Sequence, residues 1–146
     1  MEPVSNLIAV TKAKTILDYG CGKGKFIEAL SRKWPEVEVR GYDPAIEKFS
    51  EEPSSCDVVI SFDVLEHVEP ECISQVIEHI ANLTGIAAML NVATKPAKKI
   101  LADGRNAHLI VEPHSYWREL LDQHMKIVIE EEQANSSLFV LQHHRT

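Results

Sequence analysis

The sequence predicts an α/β protein, a doubly wound and mostly parallel sheet, and three observations carry that prediction. Apolar, strand-like runs alternate with segments of helical period, the pattern of β-α-β units in which each helix packs back onto a growing parallel sheet. Thr15-Ile16-Leu17 leads directly into Asp18-Tyr19-Gly20-Cys21-Gly22-Lys23-Gly24, which reads as a strand, a glycine-rich turn and a helix start. Val58-Val59-Ile60 lacks the polar alternation of a half-exposed strand, as expected where helices cover both faces.

In chain order, the first strand ends at Asp18, and glycines at 20, 22 and 24 let the backbone turn tightly and approach a ligand that a Cβ would hold off. Residues 37–42 alternate small apolar with polar side chains and form the second strand, closed by Asp43-Pro44. A third run begins at Cys56-Asp57 and reaches Phe62, followed by Asp63-Val64-Leu65-Glu66-His67-Val68. Ile73, Val76, Ile77, Ile80 and Leu83 recur at helical spacing, so residues 70–83 form an amphipathic helix with Pro70 in its first turn and Thr84-Gly85 at its end. Residues 86–92 are apolar enough for another buried strand, and Tyr116, Trp117, Leu120 and Leu121 mark one face of a helix, with Trp117 in the core. Residues 126–129 and 138–141 are two final strands joined by an acidic, polar turn at 130–137. No repeat or linker interrupts this order, and 146 residues suit one domain, 1–146.

Glycine spacing narrows the ligand. A dinucleotide fingerprint places its third glycine at 25, where this chain has Lys25, and a P-loop counted from Gly20 fails at Lys25-Phe26-Ile27. Asp43 lies about 20 residues beyond the turn, where nucleoside-binding α/β folds hold a ribose; one carboxylate accepts hydrogen bonds from both vicinal hydroxyls. The remaining pattern, D-x-G-x-G-x-G after a strand, resembles the first motif of the class I S-adenosylmethionine-dependent methyltransferases. Phe62-Asp63-Val64-Leu65-Glu66-His67-Val68 is similar to that family's fourth-strand motif. With Asp43, these motifs stand in the family's order across roughly the first half of the chain.

The resemblance implies a Rossmann-like sheet whose last strand runs antiparallel beside the fifth. It implies S-adenosylmethionine (SAM) as methyl donor and S-adenosylhomocysteine (SAH) as product. The cofactor-binding positions carried over are Asp18, Tyr19, Gly20, Cys21, Gly22, Gly24, Asp43, Pro44, Phe62, Asp63 and Val64. Asp18, Asp43, Asp63 and Asn91 are all expected at the carboxyl edge of the sheet. One departure is plain: the residues between Asp43 and Asp57 are too few for a full β-α-β crossover, which takes about 30. The family's third strand and its helix are therefore missing or vestigial, and the loop 47–55 is expected to cover the adenine. The N-terminal extension also leaves little lid, so the resemblance is to a minimal member, and His108-Leu109 followed by Trp117 is similar to small, including phage-encoded, methyltransferases.

Methyl transfer from a sulfonium is an in-line displacement that gains most from alignment of the reacting atoms, and a base is needed only for an acceptor that arrives protonated. Catalytic candidates are His108, His67 and Glu66, with His114 and Tyr116 nearby in the sequence; residues 102–109 form the substrate loop. No resident metal is assigned. The alternative is a divalent-cation site at Asp63, Glu66, His67 and His108, whose spacing is similar to the metal-binding run of the ubiquinone-pathway O-methyltransferases and small-RNA 2′-O-methyltransferases; two carboxylates with imidazoles suit Mg²⁺ or Mn²⁺ over zinc.

Net charge is −7, from 15 Lys and Arg against 22 Asp and Glu, which disfavours nucleic acid as a general partner. Lys95, Lys98, Lys99 and Arg105 form one local basic cluster. Three cysteines without metal-ligand spacing point to a reducing compartment, and with no leader or membrane-length apolar run a cytoplasmic location is expected. The functional expectation is SAM-dependent methyl transfer to an oxygen or nitrogen of an unidentified acceptor. The alternative is a catalytically silent subunit of the same fold that needs a partner, and a homo-oligomer is compatible with either.

Overall fold

The computed structural model describes residues 1–144. The strands are β1 Thr15–Tyr19, β2 Glu38–Tyr42, β3 Cys56–Phe62, β4 Thr84–Ala93, β5 Lys126–Glu132 and β6 Ser136–Gln142. They form one sheet in the order β2-β1-β3-β4-β6-β5. β1 pairs in parallel with β2 and β3, and β3 with β4; β6 lies antiparallel between β4 and β5. This is the Rossmann-like arrangement, with the antiparallel strand inserted beside the strand that carries Asn91.

Both faces of the sheet are buried, which is why its central strands read as unbroken apolar runs. Helices α1 Glu2–Thr11 and α2 Lys25–Lys33 cover one face, where Ile16, Val58, Ile60, Met89 and Val140 meet Val4, Ile8 and Leu30. Helices α3 Ile73–Leu83 and α4 His114–Asp122 cover the other, where Leu17, Val59, Leu90, Phe139 and Leu141 meet Ile77, Ile80, Trp117 and Leu121. Trp117 is fully buried, as its core placement requires.

The third strand and its crossover helix are absent among the described residues. Between β2 and β3 the chain makes a single 3-10 turn, Glu47–Phe49, and closes on itself when the Asp43 amide donates to the Phe49 carbonyl at 2.9 Å. Phe49 then packs under the glycine turn: a Cβ on Gly24 would lie 2.9 Å from its Cζ, and one on Gly41 3.1 Å from its Cδ1. A second tie holds the rest of this loop. Glu52 accepts from His79 Nε2 at 2.7 Å, so Nδ1 of the same ring accepts from the Tyr19 hydroxyl at 2.7 Å.

Several boundaries differ from those the sequence predicts. The N-terminal segment, given no element from the sequence, forms α1. The helix expected from Pro70 starts as a 3-10 turn, Pro70–Cys72, and becomes α-helical only at Ile73. Thr84 does not end that helix in a loop but begins β4 at once, its hydroxyl donating back to the Ile80 carbonyl at 2.7 Å. The acidic stretch 130–132 belongs to β5, so the turn shrinks to residues 133–135. β5 is an edge strand almost wholly exposed, and charges on such an edge discourage pairing with another chain.

Candidate active site

The carboxyl ends of β1 and β2 bring two carboxylates to one glycine turn. Gly20, Gly22 and Gly24 have φ of 81°, 55° and 84°, all left-handed, where a side chain is strained. Their environments separate two reasons for glycine. A Cβ on Gly20 would collide with Val64 and one on Gly24 with Phe49, whereas Gly22 has open space where its Cβ would stand. Packing therefore explains the first and third glycines, and the middle one leaves its backbone accessible. The Gly22 amide donates to Asp43 Oδ2 at 2.9 Å and the Ala45 amide to Oδ1 at 3.0 Å, which fixes the Asp43 carboxylate against the turn.

Asp18 is buried, 6% exposed, and among the described residues its carboxylate has no hydrogen-bond partner. Burial pushes its pKa up to about 6, with the nearby Asp43 charge adding to the rise. A cation delivered here would relieve both effects. Beside the turn lies a cavity of about 430 Å³ lined by Asp18, Gly20, Phe26 and Phe62, with Lys23 and Lys25 at its walls. In the sequence Lys25 served only to reject the dinucleotide and P-loop motifs, and neither lysine was given a ligand; their alternation with the glycines was the available signal. The Cys21 thiol is pushed up to about 11, chiefly by burial, and stays protonated. Tyr19 turns its ring to the α3 side, towards His79, so it reaches the turn through its backbone, and Pro44 is exposed beside Asp43.

A second cavity, about 240 Å³, adjoins the first across Phe62, which lines both. It holds Asp63, the residue after β3, in a left-handed conformation (φ 57°) with its amide donating to the Asn91 carbonyl at 3.0 Å. Asp63 lines this cavity and not the one beside the glycine turn.

Glu66, His67 and His108 come together at the same edge, with ligand atoms all within 4.8 Å of one another; Asp63 is outside this group. His67 Nδ1 donates to the Ala107 carbonyl at 2.9 Å and His108 Nδ1 to the Lys95 carbonyl at 2.7 Å. A carbonyl can only accept, so Nδ1 of each ring is the donor, and in the neutral tautomer Nε2 is the nitrogen with the lone pair. Glu66 is fully buried; Oε1 accepts from the Ala93 amide at 3.2 Å, and Oε2 has no partner. Burial raises its pKa, against hydrogen bonds from its own and the Ala93 amide. His114 is not part of this group: it bonds to Ser137 Oγ and stacks on Phe139, and Tyr116 packs edge-on to Trp117. Of the basic cluster, Arg105 is held by Glu69 and Asp103, while Lys95, Lys98 and Lys99 are exposed.

The whole fold has known counterparts. An O-methyltransferase family protein from Burkholderia thailandensis superposes with a TM-score of 0.72 at 16% identity, covering 97% of this chain and 55% of that one, so the chain spans about half its length. The magnesium protoporphyrin IX methyltransferase of Synechocystis, solved with bound SAH, matches with a TM-score of 0.70 at 20% identity over 98% of this chain and 80% of that one. The 1,6-didemethyltoxoflavin N1-methyltransferase of Burkholderia thailandensis, with its substrate and SAH bound, gives 0.68 at 13% identity over 97% and 76%. The family described as "Methyltransferase domain" matches residues 8–135, a stretch that takes in the glycine turn, Asp43, the Asp63–His67 run and residues 102–109, and the chain belongs to that family.

Proposed function

We infer that this protein binds SAM and transfers its methyl group to an oxygen or nitrogen of a small-molecule acceptor. The observation that supports it most directly is the pair Asp18 and Asp43 at one glycine turn, whose middle glycine, Gly22, packing does not require. The residues fit the donor's parts. Asp43, already fixed by two amides, has lone pairs left for ribose hydroxyls. The buried Asp18 matches an ammonium, and Lys23 and Lys25 on the same cavity match a carboxylate, so together they complement an amino-acid zwitterion. When bound, SAM supplies an electrophilic methyl group on sulfur; the chain contributes alignment and exclusion of water. The relatives solved with SAH, one of them with a small heterocyclic substrate, favour this reading.

Calorimetry with SAH, followed by transfer of labelled methyl to candidate acceptors, tests it. Binding with transfer is the expected result; no SAH binding overturns the reading. Binding without transfer to any acceptor points to the silent, partner-dependent subunit instead.

A second reading is favoured by the Glu66, His67 and His108 group. Two imidazoles with free Nε2 atoms, each ring held by a carbonyl, and a carboxylate with an unpartnered oxygen form a donor set suited to a divalent cation. Because Asp63 is outside the group, the set is richer in nitrogen than the sequence predicts, which moves the preference from Mg²⁺ towards Mn²⁺ or Zn²⁺. Titration of SAH-saturated protein with Mn²⁺ and Zn²⁺ checks it: no heat of binding with either ends the metal reading and leaves the methyl-donor reading standing.

A further inference from the structure

We propose that the 240 Å³ cavity beneath α1 is the acceptor pocket and that it takes a neutral or cationic molecule of single-ring size presenting an O–H or N–H to Asp63. This rests on the methyl-donor reading and extends it to the substrate.

Position is the first argument. Phe62 is a shared wall between this cavity and the glycine-turn cavity, and an edge-to-face contact with Phe26, centroids 5.7 Å apart, holds the ring in place. Two cavities bordered by the same side chain lie next to each other, as two substrates that must meet require.

Composition of the walls sets the chemistry. Val4, Leu138 and Phe62 give an apolar body, and Asp63, Asn91 and Gln133 are the polar groups; no lysine, arginine or histidine lines the cavity. Among the described residues the Asp63 carboxylate and the Asn91 amide have no side-chain hydrogen bond, so both are available to a ligand. An anionic acceptor would face the Asp63 carboxylate with no cationic side chain opposite it, whereas an O–H or N–H donor gains a charge-assisted bond. The volume is below the 300–1,000 Å³ range of pockets for drug-sized ligands, which favours an acceptor of single-ring size. Strain supports a functional role: Asp63 is one of two non-glycine residues with positive φ among the described residues, and such strain persists where the surroundings enforce it. Neither His67 nor His108 lines this cavity, so the proton-accepting contact falls to Asp63. The acceptor lone pair forms the bond to the methyl carbon as the carbon–sulfur pair leaves to sulfur; the acceptor proton passes to Asp63 and from there to water.

The test uses three probes on one skeleton: tyramine (cationic), tyrosol (neutral) and 4-hydroxyphenylacetate (anionic), titrated into SAH-saturated protein by calorimetry. Tyramine should bind at least about tenfold tighter than the anion, with tyrosol between. Asp63→Asn, which tolerates the same backbone conformation, should erase that order while leaving SAH affinity within about twofold. Leu138→Trp should abolish binding of all three probes with SAH affinity retained. The proposal is overturned if the anion binds as tightly as tyramine, if no probe binds, or if Asp63→Asn weakens SAH as much as it weakens the probes. Failure of SAH itself to bind the wild type would instead bring down the underlying methyl-donor reading.

Discussion

The donor side and the acceptor side of this edge are assembled differently. Asp18, the three glycines, the two lysines, Asp43 and Phe49 all come from 32 consecutive residues, two strands and the turns that follow them. The acceptor cavity draws on five separate places: α1, the end of β3, β4, the β5–β6 turn and β6. A short segment can specify the donor side because each part fixes the next, as when the Gly22 amide orients Asp43. Only the completed sheet creates the acceptor side. Donor chemistry is thus local and read as a motif, while acceptor chemistry is non-local and open to change at any of its five sources.

The largest expected effect lies on the donor side. Asp43→Ala should lower SAH affinity by about 100-fold or more in calorimetry, since two charge-assisted hydroxyl bonds at about 1.5 kcal/mol each are lost. A fall below tenfold would mean that the ribose is held elsewhere.

Asp18 sets function against stability. Its folded pKa lies above the ordinary 3.8, at about 6, so its contribution to stability is fully present below pH 3.8 and disappears as pH rises through about 6. That rise corresponds to about 3 kcal/mol. Asp18→Asn should therefore stabilise the ligand-free protein at pH 8 by up to that amount in urea unfolding while weakening SAH at least about tenfold. In the wild type, SAH affinity should fall as pH drops below about 6, and the variant should lack that dependence.

Gly22→Ala and Gly24→Ala sharpen the distinction between packing and access. Both place a side chain at positive φ, at about 1–2 kcal/mol. Gly24→Ala adds a clash with Phe49 and should cost more stability, whereas Gly22→Ala should cost SAH about tenfold in affinity with the smaller loss of stability. The smallest expected effect is on the far side: His108→Ala should leave SAH affinity within about twofold while removing any Mn²⁺ or Zn²⁺ binding, and a large loss of SAH would move this residue to the donor side.

The same division governs what the sequence revealed. The parallel sheet and the edge positions of Asp18, Asp43, Asp63 and Asn91 follow from short patterns, because apolar runs and turn residues act locally, while the antiparallel strand and the missing third strand come from the family resemblance. The meeting of His67 with Glu66 and His108 was suggested by the resemblance to a metal-binding run, and the contribution of residues 94–108 to it depends on carbonyls of Lys95 and Ala107 that no side-chain pattern encodes. α1 escaped prediction because its apolar residues gain their helical meaning only against Met89 and Val140 on the sheet. Phe49 escaped for a like reason: its partners are bare glycine backbone at 24 and 41, which offers no side chain to pair with in a pattern.

The abbreviated passage between β2 and β3 has a consequence for how the chain can be altered. Pairing Ile16 with Val58 closes a loop of 42 residues. Lengthening that loop by a full crossover of about 30 residues would raise its closure entropy by only about 0.5 kcal/mol. Polymer statistics thus place almost no barrier against inserting a strand and helix at residues 50–55, beside the exposed margin of β2, and this stretch is the natural junction for grafting one.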